Sequence, residues 1–254
     1  MDTELIDLYK KFDSIKKMGW IKSLRKGYSG IGYTFETLIG KEEDNFPIPD
    51  YDKYEIKTMR IFSKRVVHLF TIVPDGDFLY PMQRVLDILG YPDKNNKYRI
   101  FNIDFNCLDY KQIGYYRKGI ISINRDKKKI ELIARDHLNN NLNVDTSWSF
   151  KMLEERLYLK LKKLIIIDAY VKKIENQEYF RYQRFHYFIL KDFDSFIDAI
   201  EKGYIKIGFK IGYIKEGKNK GQLKSRGTVF SIEFVNLEKI YKKVPLNLFE
   251  YQLL

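Results

Sequence analysis

Apolar residues recur at three- and four-residue steps through Leu5, Tyr9, Phe12, Ile15 and Met18, between lysines and aspartates. That period predicts an amphipathic helix ending near Gly19. A second, short helix is predicted over Thr34–Gly40, with Phe35, Leu38 and Ile39 inward and Gly40 as its stop. The pattern then changes to extended chain over Tyr54–Arg60 and to β-branched and aromatic content over Val66–Val73. Tyr80–Gly90 reads as helix, and Arg99–Phe105, Gly119–Asn124 and Lys129–Ala134 read as strands. Thr146 or Ser147 is expected to cap a helix through Trp148, Met152, Leu153, Leu157 and Leu161, which runs into the buried strand Leu164–Val171. Gln177–Tyr187 continues as strand, and Phe193–Lys202 as a helix stopped by Gly203. Lys206–Ile214 and Val229–Val235 pair around the loop Lys215–Gly227. No repeat or Pro/Gly/Ser-rich linker interrupts this α/β succession, so a single unit over 1–254 with two lobes is expected.

With 44% hydrophobic and 31% charged residues, the 254-residue chain has the composition of a folded protein, which excludes disorder as its main state. Its 46 Lys+Arg against 34 Asp+Glu leave +12, a field that favours a polyanion such as nucleic acid. The single cysteine, Cys107, has no internal disulfide partner, and Cys107, His68, His137 and His186 lack zinc-ligand spacing. The first residues have neither a basic region nor an apolar run, and Leu164–Ile167 falls far short of the roughly 18 residues of a membrane span. A soluble, cytoplasmic protein without membrane contact is the expectation.

Candidate chemistry lies in Pro49-Asp50-Tyr-Asp-Lys-Tyr-Glu55-Ile-Lys57. Alternation along a strand puts Glu55 and Lys57 on one face and Ile56 on the other, while Asp50 arrives from the preceding turn. Two converging carboxylates can hold Mg²⁺, and a lysine beside them can orient water or stabilise phosphate charge. The same spacing recurs at Asp104, Asp109 and Lys111, and its second half at Glu216 and Lys218, so spacing alone does not select a site. Context favours the first copy. It is preceded by a proline, by the helix carrying Glu36, and by the basic, glycine-rich stretch Arg25–Gly32, whose glycines would let Arg25 and Lys26 approach a phosphate backbone.

The run Arg25-Lys-Gly-Tyr-Ser-Gly-Ile-Gly-Tyr-Thr-Phe-Glu36-Thr-Leu-Ile-Gly-Lys-Glu-Glu-Asp-Asn, followed by Pro49-Asp50 and Glu55-Ile-Lys57-Thr58, resembles the MvaI/BcnI family of restriction endonucleases, relatives of the mismatch-repair nickase MutH. Trp148-Ser-Phe150, Lys163–Ala169, and Phe209–Tyr213 through Arg226–Phe230 extend the resemblance over most of the chain. It implies a PD-(D/E)xK α/β fold, a mixed sheet flanked by helices, in a monomer that embraces duplex DNA between two lobes. The catalytic lobe is expected mainly in 1–75 and 115–175, and the recognition lobe mainly in 176–254. Asp50 and Glu55 would be metal ligands together with the Ile56 backbone carbonyl, Lys57 would position water, and Glu36 would support them. Mg²⁺ is the implied cofactor, and a cognate DNA methyltransferase the implied cellular counterpart. Tyr51 and Arg226 depart from the residues some relatives carry, and because Arg226 lies in the recognition segment the family's CC/GG-type site is not carried over.

Independently, the C-terminal stretch holds Lys206, Lys210, Lys215, Lys218, Lys220, Lys224 and Arg226 against one acid, Glu216. Lysines and arginines on such a hairpin can contact phosphates or read guanine edges. Lys210, Tyr213, Lys218, Lys220, Lys224 and Arg226 are the DNA-binding candidates here. The sum is a Mg²⁺-dependent type II restriction endonuclease acting on double-stranded DNA and cutting its strands in succession. A MutH-like nickase and a catalytically silent DNA-binding protein share the same basic surface.

Overall fold

The computed structural model describes residues 2–41, 49–76, 80–95 and 97–245. In chain order its elements are α1 (Thr3–Lys17), β1 (Ile21–Lys22), α2 (Gly30–Leu38), β2 (Glu55–Arg60), β3 (Val66–Ile72), α3 (Tyr80–Leu89), β4 (Tyr91–Pro92) and β5 (Arg99–Phe105). There follow β6 (Lys111–Ile113), β7 (Arg117–Asn124), β8 (Lys129–Asp136), β9 (Asn141–Leu142), β10 (Ser147–Ser149), α4 (Phe150–Leu161), β11 (Lys163–Ile174) and β12 (Gln177–Leu190). The chain continues through α5 (Phe193–Glu201), β13 (Ile205–Tyr213), β14 (Leu223–Lys224), β15 (Thr228–Glu233), a 3-10 turn at Phe234–Lys239, and β16 (Tyr241–Val244). Among the described residues no helix is long and apolar enough to cross a membrane.

The chain forms two compact units, the first from Met1–Arg65, Leu157–Lys191 and Ile240–Leu254, the second from Val66–Arg156 and Asp192–Lys239. These units divide the chain differently from the expected lobe limits: 66–75 and 115–156 fall in unit 2, and 176–191 and 240–254 in unit 1.

Unit 1 is built on a five-stranded sheet in the order β1-β12-β11-β2, with β16 also pairing β12. β2 runs parallel to β11, with Glu55 opposite Leu164 and Lys57 opposite Ile166, and the other pairs are antiparallel. One face of the sheet carries Ile56, Ile165, Ile167, Phe185 and Tyr187. These pack with Leu5, Leu8, Phe12 and Ile15 of α1 and with Ile31 and Phe35 of α2. The spacing of the α1 residues is the apolar stripe read from the sequence.

α2 begins at Gly30, four residues before the expected start at Thr34. Among the glycines that read as loop residues, Gly30 has a packing reason: a Cβ there would lie 2.4 Å from the Arg25 carbonyl oxygen and 2.5 Å from Ser23 Oγ. The basic stretch therefore folds back onto the first turn of the helix, and the Thr34 hydroxyl accepts the Leu24 N–H at 3.0 Å.

Unit 2 contains an antiparallel sheet in the order β3-β15-β13-β5-β4, with β14 on β13, and a second sheet β10-β8-β7-β6, with β9 on β8. Its core is aromatic. Trp148 meets Phe209 and Phe230 edge-on, and Phe70 stacks on Phe230. The indole N–H of Trp148 donates to Thr228 Oγ1 at 3.1 Å, and that hydroxyl donates to the Ile72 carbonyl. The helix expected from Thr146 or Ser147 starts instead at Phe150, because Ser147–Ser149 pair with β8 and seat Trp148 opposite Ile130. Ser149 Oγ accepts the Met152 N–H, which moves the cap two residues downstream of Ser147.

Candidate active site

Asp50 precedes a tight turn in which Tyr51 and Tyr54 exchange backbone hydrogen bonds at 2.9 and 2.8 Å, with Asp52 at φ +50°. The turn is anchored to unit 1's first helix. Tyr51 hydrogen-bonds Asp7 and Lys11, and buried Tyr54 donates to Asp2, which Lys163 also holds. A turn tied at two tyrosines delivers Asp50 and the start of β2 in a fixed relation.

Asp50 accepts from Lys41 Nζ at 2.7 Å and from the Ile56 N–H at 3.0 Å. Burial pushes its carboxyl up, but the Lys41 and Ile56 hydrogen bonds overcome this and hold it below the usual carboxylate range. Ile56 thus does two things, burying its side chain in the core and donating its amide to Asp50.

Glu55 is 2% exposed. Its Oε1 accepts from Lys57 Nζ at 2.8 Å and lies 3.4 Å from Lys160 Nζ, while its Oε2 is buried with no hydrogen-bond partner among the described residues. Burial pushes the Glu55 carboxyl up, aided by the charge of Asp50 and offset only partly by Lys57 and Lys160. A carboxylate kept at such cost with one oxygen unused has the character of a ligand.

Burial also separates the repeated spacings. Asp104, Asp109 and Lys111 of unit 2 are all exposed, as are Glu216 and Lys218. They form a solvated surface, unlike Glu55.

Glu36 lies on α2 at the wall of an open cavity of about 270 Å³, lined also by Arg25, Tyr28, Tyr33 and Thr58. The Arg25 guanidinium stacks on the Tyr33 ring, 3.8 Å from its centroid, and Lys26 is exposed nearby in sequence. In unit 2, Lys210 is exposed on β13 opposite Asn102, and Tyr213 pairs with Leu223. Lys218 and Lys220 lie in the turn between β13 and β14, Lys224 on β14 and Arg226 just beyond it, all exposed. Two lysines of that basic stretch are committed elsewhere: Lys215 pairs with Asp93 at 2.9 Å and Lys206 with Glu233 at 3.9 Å. His68, on β3, is exposed in unit 2. Pro47 and residues 42–45 lie outside the described residues.

Sequence reasoning missed Lys41 and Lys160. No local pattern marks Lys41. Lys160 had a readable signal: α4 feeds β11 directly, so its last turn must lie beside whichever strand start pairs with β11, and Glu55 opens that strand.

Residues 9–241 match the family model described as the MvaI/BcnI restriction endonuclease family. The chain belongs to the MvaI/BcnI restriction endonuclease family. Enzymes of this family are type II site-specific deoxyribonucleases. Among solved structures, the chain resembles the restriction endonuclease MvaI–cognate DNA substrate complex with a TM-score of 0.87, at 28% identity over 96% of this chain and 98% of that one. It resembles restriction endonuclease MvaI in the absence of DNA with a TM-score of 0.62 at the same identity and coverage. The expected mixed α/β fold of a restriction endonuclease therefore holds. A curated G2/mitotic-specific cyclin-B of Dictyostelium discoideum is 24% identical over 147 residues, 51% of this chain, and the match spans only 31% of the cyclin.

Proposed function

We propose that this member of the MvaI/BcnI family is a Mg²⁺-dependent type II restriction endonuclease that hydrolyses phosphodiester bonds at a specific sequence in double-stranded DNA. It acts as a monomer and cuts the two strands in succession. Unit 1 carries the hydrolysis and the basic β13–β15 region of unit 2 reads sequence. The observation that carries this reading is the pair Asp50, in the turn before β2, and Glu55, at its start, the latter buried with Oε2 unpartnered among the described residues and Lys57 on its other oxygen.

The donor set fits Mg²⁺, a hard cation held by one or two carboxylates with several waters retained. The fit needs only two carboxylates, consistent with the described residues holding no group of three or more His, Cys, Asp or Glu able to bind a metal. Asp50, Glu55 and the Ile56 carbonyl would hold the ion. When bound, it supplies Lewis acidity toward the phosphate and a more acidic water.

The chain's own groups do the rest. Lys41 and the Ile56 amide keep Asp50 ionised and fixed. Lys57, whose side chain retains 21% exposure, turns its remaining ammonium protons toward the attacking water or a non-bridging phosphate oxygen, where charge develops. Lys160 keeps a positive charge beside Glu55 when Lys57 is so engaged. Glu36 serves as a supporting carboxylate, lining a cavity with Thr58, the residue that follows Lys57 on β2.

A single such centre per chain requires a nicked intermediate. A time course on supercoiled plasmid with Mg²⁺ should show open circles before linear DNA, and direct conversion to linear DNA at every enzyme concentration would defeat the sequential monomer. Partner-free cutting of both strands separates this enzyme from a MutH-like nickase. The reading also places it in the cytoplasm beside a DNA methyltransferase that protects host sites.

A further inference from the structure

The sheet face that carries Glu55 and Lys57 continues across unit 1 with a second set of charges. Residues in register across adjacent strands project to the same side. Lys57 is in register with Ile166 and Ile166 with His186, and Met59 with Asp168 and Asp168 with Arg184. The opposite face is the apolar one packed on α1 and α2.

Along β12 the register breaks: Asp168 faces Arg184, but the next residue, Ala169, faces Tyr182, leaving Gln183 unopposed. The extra residue is a β-bulge, which re-aims every side chain beyond it. In an unbroken strand Arg181 and Arg184, three apart, would point to opposite faces. With the bulge, Tyr182 stays in the core while Arg181, opposite Tyr170, joins Arg184 and His186 on the face of Lys57.

A fully buried carboxylate fastens the row. Asp168 is 0% exposed and meets Arg65 Nη2 at 2.6 Å and His186 Nε2 at 3.0 Å, with Arg184 at 4.0 Å. Burying a charge is costly unless it is paired, and here the pairing holds Arg65 and His186 in place beside Arg184. Asp168 is the one acid of β11, and Glu178, the one acid of β12, is held by both terminal guanidinium nitrogens of Arg60 at 2.8 and 2.9 Å. Arg184 keeps 54% of its side-chain exposure, and Arg181 is exposed with no ion pair among the described residues.

We propose that Arg181, Arg184 and His186 form a row of phosphate contacts for the DNA strand flanking the bond to be cut, aligned by the bulge and positioned by Asp168. The inference rests on the nuclease reading for which strand that is. His186 lies two strand spacings, about 10 Å, from Lys57. The row runs for about 13 Å along the strand, judged from its partners Ile166 to Tyr170, roughly the axial rise of four nucleotides.

The test is binding of a fluorescently labelled DNA duplex by the full chain in EDTA, read by anisotropy across a salt series. Each lost phosphate contact lowers the slope of log K against log salt by about 0.9, which is about an eight-fold loss of affinity at 0.1 M relative to 1 M salt. Arg181→Gln and Arg184→Gln should each show this, and Arg184→Lys should restore the slope because the charge returns. Arg125→Gln, which removes a unit 2 arginine paired with Asp198 and Glu201, should bind as wild type. Slopes and affinities of Arg181→Gln and Arg184→Gln equal to those of Arg125→Gln would overturn the proposal. Because no metal is present, that failure is separable from the nuclease reading: a wild type that cuts plasmid in Mg²⁺ while both variants bind normally refutes only the row. Reduced slopes in a chain that never cuts would refute only the nuclease.

Discussion

Glu55→Gln should make the metal-free protein more stable while abolishing cleavage. In the folded chain this carboxylate is 2% exposed, and burial raises its pKa despite Lys57 at 2.8 Å and Lys160 at 3.4 Å. Its ionised form is therefore less favourable in the fold than in water, and among the described residues Oε2 has no hydrogen-bond partner to compensate. A buried unsatisfied polar atom costs about 1–3 kcal/mol, and more when charged. Glutamine keeps the shape and the acceptor for Lys57 and removes the charge, so a gain of about 1–2 kcal/mol is expected. For a chain of this size that corresponds to a Tm rise of about 2–8 °C. Calorimetry in EDTA reads the gain directly. Adding Mg²⁺ should then raise the Tm of wild type and leave the variant unchanged, since a ligand stabilises only the protein that binds it. Plasmid cleavage should fall at least about 100-fold, the scale for losing a group that stabilises transition-state charge. A lower Tm for Glu55→Gln in EDTA would refute the reasoning, because it would make Glu55 a stabilising ion-pair partner.

Trp148→Phe removes a buried hydrogen bond to Thr228 and part of a ring packed on Phe209 and Phe230, so a loss of about 1–3 kcal/mol is expected, read as a lower urea midpoint at unchanged slope. Asp93 is held at about 2, below its usual 3.8, first by Lys215 and then by the Lys97 and Tyr98 amides. A carboxylate with a depressed folded pKa stabilises above its unfolded pKa and ceases to as pH falls through the folded one. The deficit of Asp93→Asn in urea unfolding should thus be full at pH 6 and shrink from about pH 4 toward pH 2, and a deficit constant over that window would contradict the assignment. The Cys107 thiol is pushed up to about 12 by burial, with Glu201 adding to the effect, so iodoacetamide at pH 8 should label the native protein far more slowly than the urea-unfolded chain.

The periodicities that were legible are those in which one face of an element meets one core. The α1 stripe, the β-branched run of β11 and the alternation of β12 all follow from that, as do Gly40 and Gly203 at positive φ just after α2 and α5. The starts of α2 and α4 were displaced for different reasons. At Gly30 a packing demand resembled loop chemistry, and at Ser147–Ser149 a strand pairing took residues whose types also suit a helix cap. That Glu55 and Lys57 share a face follows from their spacing of two, but the burial that distinguishes them from Asp104, Asp109 and Lys111 depends on β2 lying beside β11, a pairing more than one hundred residues apart. The bulge at Gln183 has no sequence signature at all, since the residue it inserts is an ordinary polar one. Without it, Arg181 would be assigned to the wrong face.

These charges divide by what holds them. Asp50 and Asp168 are carboxylates with both oxygens hydrogen-bonded, whereas Glu55 retains one oxygen without a partner among the described residues. Glu55 is thus a destabilised group, and it adjoins the lysine assigned to the reacting phosphate.

Whether this centre cuts DNA at a defined sequence is read from purified protein incubated with phage DNA in Mg²⁺ or in EDTA, with the fragment ends sequenced. Discrete Mg²⁺-dependent fragments that share one sequence at their ends are expected, with none from Lys57→Ala under the same conditions. Fragments with unrelated ends, full activity in Lys57→Ala, or intact DNA in Mg²⁺ would contradict cleavage by this centre at a defined sequence.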